Sequence, residues 1–346
     1  MSAKKHVGVV IVGHVDAGKS TTTGRLLFEL GNLDPRVMEK LTAEAKAQNK
    51  PSFAFAYFMD THAEERKRGV TINCNTKEFF TEKYHYTIID APGHRDFIKN
   101  MISGASQADV ALLLVPAEKG GFEKAIANED RELKTVKGQT RHHAELTNLL
   151  GIRQIIVGVN KMDTASYGEE RFREIEENMR AMLKKSQWKD AYFVPIIPIS
   201  GFHGDNITKK SDKMPWYKGF EYTYGAKSKK GVCVGKKSMG TVKGHTLFDA
   251  LNDYVLPPSR TTGKPFRMPV SGVYNISGVG TVITGRVEQG TLVPNTIVKN
   301  LPKPTPVTFW PSNIQGLVNT IEMHHKNLEQ ANTGDNVGIA VKGLSR

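Results

Sequence analysis

The sequence has only two cysteines among its 346 residues, and it contains no apolar run long enough to span a bilayer. Cys74 and Cys233 lie far apart and fit neither a metal-binding nor a redox spacing, so we predict that both are free thiols. The first five residues lead directly into an apolar strand, without the hydrophobic region of a signal peptide. These absences exclude a disulfide-stabilised secreted scaffold and predict a cytosolic chain that does not bind membranes.

Acidic residues are few relative to basic ones. The chain has 48 lysines and arginines against 35 acidic residues, which gives a net charge of +13. This excess favours a polyanionic partner such as RNA or a ribosomal surface, although solvated lysine faces are an alternative explanation. Part of the excess lies in a glycine-rich stretch, residues 225–244, that has no acidic residue. We predict a mobile loop there, which either touches RNA or is a solvated insertion.

The order of apolar runs divides the chain into two domains. Up to residue 256, strand-like and helix-like runs alternate, which predicts a mainly parallel, doubly wound α/β sheet covered on both faces. Its predicted strands cover residues 7–12, 76–81, 84–90, 109–115, 153–160 and 192–200, and its helices 21–30, 34–49, 139–150, 168–185 and 246–255. Residues 257–265 are rich in proline and glycine and are predicted to be a linker. Residues 266–346 have short strand-like runs separated by turns, which predict an all-β antiparallel barrel.

Residues 13–20 fit the phosphate-binding pattern G-x-x-x-x-G-K-[ST], and they lie between a β-branched strand and a helix. In this arrangement backbone N–H groups wrap a phosphate, Lys19 neutralises the β- and γ-phosphates, and Ser20 supplies an oxygen to Mg²⁺. The nucleotide-binding residues predicted here are Asp16, Ala17, Gly18, Lys19, Ser20 and Thr21. A glycine-rich turn that matches the pattern by chance is the alternative.

A second candidate element, Asp90 to His94, has the sequence D-A-P-G-H and follows a predicted strand. Asp90 in this place can hold Mg²⁺ through water, and Gly93 leaves its N–H free to approach a γ-phosphate. His94 would then lie beside the terminal phosphate, where a side chain is needed to orient the attacking water. The alternatives are an ordinary turn that closes a strand and an ordinary packed or surface histidine.

A third element, N-K-M-D at residues 160–163, separates guanine from adenine. Asp163 can accept hydrogen bonds from the N1–H and the exocyclic amine of guanine, whereas adenine has an unprotonated N1 at that edge. Asn160 belongs to the same motif, and the stem of Lys161 can pack over the base. At the end of the last strand, the backbone N–H groups of Ser200, Gly201 and Phe202 could bind the guanine oxygen. Ordinary strand-ending turns are the alternative for both stretches.

Thr71 follows a strongly charged stretch and precedes the strand that pairs with the Asp90 strand. Its hydroxyl could bind Mg²⁺ and its N–H could bind the γ-phosphate, so the segment before it would be ordered only with a nucleoside triphosphate. The alternative is a β-branched residue that simply opens a strand.

These four elements, in this order, resemble the translational GTPases. The stretches G-H-V-D-A-G-K-S-T, R-G-V-T-I, D-A-P-G-H-R-D-F and N-K-M-D resemble the elongation factor 1-alpha family in particular, and the resemblance runs from residue 6 to residue 346. It implies a GTP-binding domain over residues 1–256, with switch segments 32–74 and 90–105, followed by a second barrel domain. It also implies a GTPase that cycles between GTP and GDP with Mg²⁺, and a monomer that delivers aminoacyl-tRNA to the ribosomal A site. A guanine-nucleotide exchange factor is a further partner that the family suggests.

The resemblance also assigns roles to single residues. Val15 and Val70 would form an apolar gate past which His94 swings to orient the attacking water, so the catalytic set is His94, Lys19, Thr71, Val15 and Val70. The residues that would line the aminoacyl pocket of the barrel are Tyr274, His324, His325 and Asn336.

The sequence also departs from this family. Residues 128–137 and 225–244 are longer than usual and resemble the divergent elongation factor-like proteins of some unicellular eukaryotes. Ser271 and Gly272 stand where the family often has a polar–acidic pair. No third barrel domain follows residue 346, so we expect a truncated chain with reduced tRNA affinity. The alternatives are a GTPase of peptide release or ribosome rescue, which binds a protein mimic of tRNA, and a scaffold that binds RNA or the cytoskeleton without hydrolysis.

Overall fold

A central strand of buried β-branched residues organises the first half of the chain. The structure is a computed structural model that describes residues 4–127, 138–228, 231–260, 263–298 and 301–344. The chain divides into two units, Met1–Pro257 and Pro258–Arg346. In the first unit, strand β1 is fully buried from residue 7 to its end. A strand buried on both faces requires helices on both sides of its sheet.

The strands of this sheet run in the order β2-β3-β1-β4-β5-β6, and all pair in parallel except β2, which is antiparallel to β3. Their bounds are β1 Lys5–Gly13, β2 Asn75–Phe80, β3 Tyr84–Asp90, β4 Val110–Pro116, β5 Gln154–Asn160 and β6 Ile196–Pro198. The chain leaves β1 between β3 and β4, which is the position in an open α/β sheet where ligands bind. The predicted mainly parallel sheet is confirmed.

The helices of this unit are mostly short. Their bounds are α1 Lys19–Glu29, α2 Pro35–Ala47, α3 Ala56–Met59, α4 Ala63–Arg68, α5 Ile98–Ala105, α6 Gly121–Ile126, α7 Gln139–Leu149, α8 Glu169–Lys185 and α9 Leu247–Asp249, which continues as a π-helical turn over Ala250–Tyr254. Residues 32–74, for which the sequence predicted one helix over 34–49, therefore contain three α-helices and a short 3-10 helix over Pro51–Phe53. No helix among the described residues is long and apolar enough to cross a membrane.

The structure corrects two predictions in this unit. The predicted strand 192–200 is a strand only over Ile196–Pro198. The predicted loop 225–244 is wrong, because it forms β8 Lys227–Ser228 paired with β9 Gly231–Val232, and β10 Thr241–Gly244 paired with β7 Phe220–Thr223. The buried side chains of Tyr222 and Cys233 and a hydrogen bond from Val232 N–H to the Lys189 carbonyl attach this segment to the domain. The other predicted insertion, 128–137, lies outside the described residues.

The second unit is built from antiparallel strands, as predicted. Their bounds are β11 Val270–Ile276, β12 Gly280–Arg286, β13 Thr291–Leu292, β14 Asn295–Val298, β15 Leu301–Pro304, β16 Pro306–Phe309, β17 Ile314–Met323, β18 Lys326–Asn327, β19 Ala331–Asn332 and β20 Asn336–Lys342. The main sheet has the order β11-β12-β20-β17-β16, and β13 pairs with β19. A core that includes Val287, Val318 and Ile339 lies between these strands.

Candidate nucleotide site

The loop after β1 closes with a tight turn at Gly18. Gly18 has a φ of 82° and immediately precedes helix α1. A Cβ atom at Gly18 would lie 2.3 Å from the Asn160 side-chain nitrogen, so only glycine fits. The loop therefore ends at the N-terminus of α1, where a helix has unpaired N–H groups and a positive dipole end.

A cavity of about 390 Å³ opens above this loop. It brings together most of the residues predicted from separate motifs. The predicted residues on its wall are Val15, Asp16, Gly18, Lys19, Ser20, Thr21, Val70, Thr71, Asn160, Lys161, Asp163 and Phe202. Ser52, Phe53, Ala56 and Asp60 complete much of the wall, and no sequence motif pointed to them. All four residues lie between residues 50 and 70, where the sequence predicted neither a helix nor a strand.

Lys19 lies at the centre of the phosphate end. Its Nζ donates a hydrogen bond to the His14 carbonyl over 2.8 Å, and its side chain is buried. Burial lowers the pKa of Lys19, and the nearby carboxylates of Asp90 and Asp16 oppose that shift. Gly93 approaches closely, since a Cβ there would lie 2.3 Å from the Lys19 Nζ. The Gly93 backbone and the Lys19 ammonium group thus border the same space.

Two hydroxyls and two carboxylates meet beside Lys19. Ser20 Oγ lies 3.1 Å from Thr71 Oγ1, and Thr71 Oγ1 donates to Asp60 Oδ1 over 2.9 Å. Both oxygens of Asp90 are buried, and no described residue makes a hydrogen bond of ordinary geometry to them. Burial raises the pKa of Asp60 to about 6 and that of Asp90 to about 7, and the Ser20 hydroxyl favours ionised Asp90. Oxygen ligands of this kind suit Mg²⁺, so Ser20, Thr71 and Asp90 fit the ion for which they were predicted.

A buried glutamate holds the loop that carries Thr71. Glu65, on α4, accepts hydrogen bonds from the backbone N–H groups of Ile72 and Asn73 over 2.9 and 3.1 Å. The adjacent Arg66 donates to both carboxylate oxygens of Glu44 at 2.8 Å and to the carbonyl of Asp60. In the sequence these residues read only as a charged stretch. Because β2 begins at Asn75, Thr71 does not open a strand.

The opposite end of the cavity is built around Asn160 at the end of β5. Its Nδ2 donates to the Ala17 carbonyl over 2.8 Å, and its Oδ1 accepts from Gly201 N–H over 2.8 Å. The Ser200 hydroxyl donates to Asp163 Oδ1 over 2.7 Å. Asn160 therefore connects the phosphate loop to the Ser200 turn. Asp163 Oδ1 thus already accepts one hydrogen bond, and a carboxylate oxygen can accept a second.

His94 is placed differently from the rest of the predicted catalytic set. Val15 and Val70 line the cavity, whereas His94 is absent from its described wall. The side chain of His94 is 42% exposed, and its Nδ1 accepts from Asp96 N–H over 3.3 Å. Gly93, the neighbour of His94, borders the Lys19 Nζ. His94 thus follows directly on a residue of the phosphate end, while its own ring is partly exposed and packs against Phe97.

The predicted aminoacyl residues are only partly brought together. The strand register places Asn336 opposite Arg286 on β12. It places Tyr274 opposite Val282, which lies four positions before Arg286 on the same strand. At about 3.3 Å per residue this is roughly 13 Å along the sheet. His324 and His325 form the turn between β17 and β18, both with φ between 50° and 60°. Both side-chain polar atoms of Asn336 are buried without a partner among the described residues.

Comparisons with known proteins identify the family of the chain. Residues 4–257 match the family model of the elongation factor Tu GTP binding domain, and residues 280–346 match that of elongation factor Tu domain 2. The chain is 46% identical over 342 residues to an elongation factor 1-alpha of Coccidioides immitis, covering 99% of this chain and 67% of that relative. It is 46% identical over 344 residues to an elongation factor 1-alpha, oocyte form, of Xenopus laevis, covering 99% and 68%. The chain thus spans about two thirds of the length of these relatives.

Among solved structures, the S. cerevisiae Ski7 GTPase-like domain bound to GTP is similar to this chain. The TM-score is 0.73 at 19% sequence identity, and the match covers 98% of this chain and 70% of that one. This likeness supports the fold of the two units described above.

Proposed function

Because the chain belongs to the elongation factor Tu family of GTPases, it is a translational GTPase, and we propose that it delivers aminoacyl-tRNA to the ribosomal A site. In this proposal the GTP form binds the charged tRNA, and hydrolysis to GDP releases it. The observation that carries the nucleotide part is that one cavity joins Lys19 and Thr71 to Asn160 and Asp163. The relatives named elongation factor 1-alpha support the delivery part.

Each end of the cavity has a defined task in this proposal. At the base end, Asp163 accepts from the guanine N1–H and exocyclic amine, while the N–H of Phe202 approaches the guanine oxygen. Of the three predicted donors, Ser200 N–H and Gly201 N–H instead donate to Asp205 and Asn160. At the phosphate end, Lys19 and the N–H groups of residues 16–21 neutralise the phosphate oxygens. Because Lys19 is buried, its charge acts in a poorly solvated site, where electrostatic interactions are stronger.

Hydrolysis depends on positioning, because phosphoryl transfer leaves little covalent chemistry for the protein. Ser20, Thr71 and Asp90 would hold Mg²⁺, which when bound neutralises charge on the β- and γ-phosphates. Thr71 and Gly93 direct their N–H groups at the γ-phosphate. The His94 side chain swings past Val15 and Val70 and then orients the attacking water. The exposed ring of His94 is compatible with such a movement.

The partners of the proposal are aminoacyl-tRNA, the ribosome and a guanine-nucleotide exchange factor, in a monomeric cytosolic protein. The net charge of +13 supports RNA as a partner. In the second unit, the unpaired buried atoms of Asn336 support a polar ligand at the end of the sheet where the His324 and His325 turn lies. Along β12, the partner of Tyr274 lies four positions from the partner of Asn336. Tyr274 therefore contributes only to the side of the pocket that is farthest from Asn336.

The deciding experiment is filter binding of the protein in its GTP form to aminoacylated and deacylated forms of one tRNA. We expect binding of the charged form to be at least about tenfold tighter, and to weaken when GDP replaces GTP. Equal binding of both tRNAs would remove the delivery role. Tight binding of a release-factor partner in place of tRNA would favour peptide release or rescue. Retention of RNA binding without any GTP hydrolysis would favour a scaffold.

A further inference from the structure

Arg25, on helix α1, reaches a loop far away in the sequence. Its Nη1 donates to the Phe202 carbonyl over 3.3 Å, and its Nη2 donates to the His203 carbonyl over 3.1 Å. The side chain is only 24% exposed. One planar guanidinium group therefore spans two successive carbonyls of the loop that follows β6. A lysine ammonium group cannot reproduce this fork.

Glu29, one helical turn further along α1, fixes Arg25 and the same loop. Its Oε1 accepts from Arg25 Nε over 2.6 Å, and its Oε2 accepts from the Thr208 hydroxyl over 2.5 Å. A Cβ atom at Gly204 would lie 2.3 Å from Glu29 Oε1 and 2.5 Å from Arg25 Nη2, so the loop backbone lies directly on the pair. A side chain at Gly204 would have to displace the ends of these two side chains, and the backbone there has a φ of 86°, which favours glycine.

The other face of Arg25 contacts the segment that leads to Thr71. The guanidinium carbon lies 5.2 Å from the centre of the Phe55 ring, within the range of a cation–π interaction. Phe28 packs against the same ring, with 5.8 Å between centroids. A Cβ atom at Gly24 would lie 2.1 Å from the Phe55 carbonyl oxygen, so α1 and this segment are in close backbone contact.

We propose that Arg25 is a positioning residue for guanine recognition, which holds the loop of residues 200–204 where the N–H of Phe202, on the cavity wall, meets the guanine oxygen. The other four N–H groups of this loop already donate to partners within the domain. This inference rests on the proposed nucleotide function. The loop is tied to the base site at its other side, since Gly201 N–H donates to Asn160 and the Ser200 hydroxyl donates to Asp163. Arg25 supplies a second attachment, through the carbonyls of Phe202 and His203. Through Phe55 it also links this loop to the segment that carries Thr71.

The test compares GDP with 6-thioguanosine 5′-diphosphate, in which sulfur, a weak acceptor, replaces the guanine oxygen. Dissociation constants of both nucleotides are measured for the full chain, for Arg25→Ala, for Arg25→Lys and for a control, Arg173→Ala, on the exposed face of α8. We expect both Arg25 variants to bind GDP about tenfold more weakly, because two charge-assisted hydrogen bonds to the loop are lost. The loss for the thio nucleotide should be threefold or less, and the control should bind both nucleotides as the unchanged protein does.

A purely structural role for Arg25 would give a different pattern. If Arg25→Ala weakened both nucleotides by the same factor, or neither of them, the proposal would be overturned. Arg25→Lys keeps the positive charge near Phe55, so a lysine variant with unchanged GDP affinity would also overturn it. Thermal unfolding of each variant identifies loss of fold. Failure of the unchanged protein to prefer GDP over ADP would instead overturn the proposed nucleotide function, and the role of Arg25 with it.

Discussion

The backbone N–H of Gly13 donates a hydrogen bond to Nδ1 of His143 over 3.1 Å, from the first residue of the phosphate loop to the interior of helix α7. His143 is fully buried. Since Nδ1 accepts, the neutral ring carries its proton on Nε2, which has no partner among the described residues. A neutral, buried histidine therefore accepts a hydrogen bond from the first residue of the phosphate loop. Desolvation lowers the pKa of this histidine to about 3, and the nearby Lys19 charge adds to the shift.

Replacing His143 with leucine should destabilise the protein, because Gly13 N–H would remain buried without an acceptor. An unpaired buried donor costs about 1–3 kcal/mol. Asparagine, whose Oδ1 can occupy the place of Nδ1, should restore most of this free energy of unfolding. Urea unfolding at pH 7.5 measures both variants. Equal destabilisation by leucine and asparagine would show that packing, and not the hydrogen bond, is what His143 contributes.

We expect His143 to make the stability of the protein depend on pH. Its pKa is about 3 in the folded protein and near 6.5 when unfolded, so the unfolded chain binds the extra proton between these values. The contribution of His143 to the free energy of unfolding is therefore fully present above about pH 6.5. It decreases as the pH falls, by up to about 1.4 kcal/mol per pH unit. His143→Asn lacks this titration. In urea titrations from pH 7.5 to pH 5, the unchanged protein should therefore lose more stability than the variant, and parallel curves would contradict the assignment.

Local motifs made much of the nucleotide site predictable. Lys19 and Ser20 lie in one short pattern between a strand and a helix, and Asn160 and Asp163 follow a buried strand of the same sheet. In a parallel sheet, the carboxyl ends of the strands share one edge, so strand order alone brings these motifs close together. The alternation of strands and helices predicted the mainly parallel sheet of the first unit.

Residues that act over long sequence distances were not predictable. His143 is 130 positions from Gly13, and Arg25 is 178 positions from His203, and no local pattern signals either pair. Glu65 had a local signal, a charged helix before Thr71, but its burial depends on the tertiary fold. The error at residues 225–244 has a similar cause, since the four described lysines of this segment are exposed while Cys233 is buried against the domain.

Glu65→Ala should selectively weaken binding of the triphosphate. The variant frees the N–H groups of Ile72 and Asn73, so the loop with Thr71 loses two charge-assisted hydrogen bonds. We expect about tenfold weaker binding of a non-hydrolysable GTP analogue and less than about twofold for GDP, because Thr71 is proposed to contact the γ-phosphate. Glu64→Ala, at the exposed neighbouring position, is the control. An equal loss for both nucleotides would place Glu65 outside the switch.

Asp163→Asn should exchange guanine for xanthine. The asparagine amide would donate to the xanthine 2-oxygen, where the aspartate accepts from the guanine amine, and its oxygen can still accept from Ser200. GDP affinity should fall about 100-fold, because charge-assisted hydrogen bonds to the base are lost, while xanthosine diphosphate affinity rises. Asp212→Asn, at an exposed position, is the control. A variant that loses GDP without gaining the xanthine nucleotide would contradict the proposed role of Asp163.

His94→Ala should separate hydrolysis from binding. The ring of His94 is half exposed and touches Phe97 and Asp96, so its removal leaves the contacts of Lys19 and Asp163 unchanged. We expect GTP and GDP affinities within about twofold of the unchanged protein, and ribosome-stimulated hydrolysis reduced at least about 100-fold, the scale of a lost water-orienting group. Asp96→Asn keeps the backbone N–H that binds His94 Nδ1 and should hydrolyse nearly normally. Single-turnover GTP hydrolysis with ribosomes and charged tRNA measures both variants. Near-normal hydrolysis by His94→Ala would assign the water to another group.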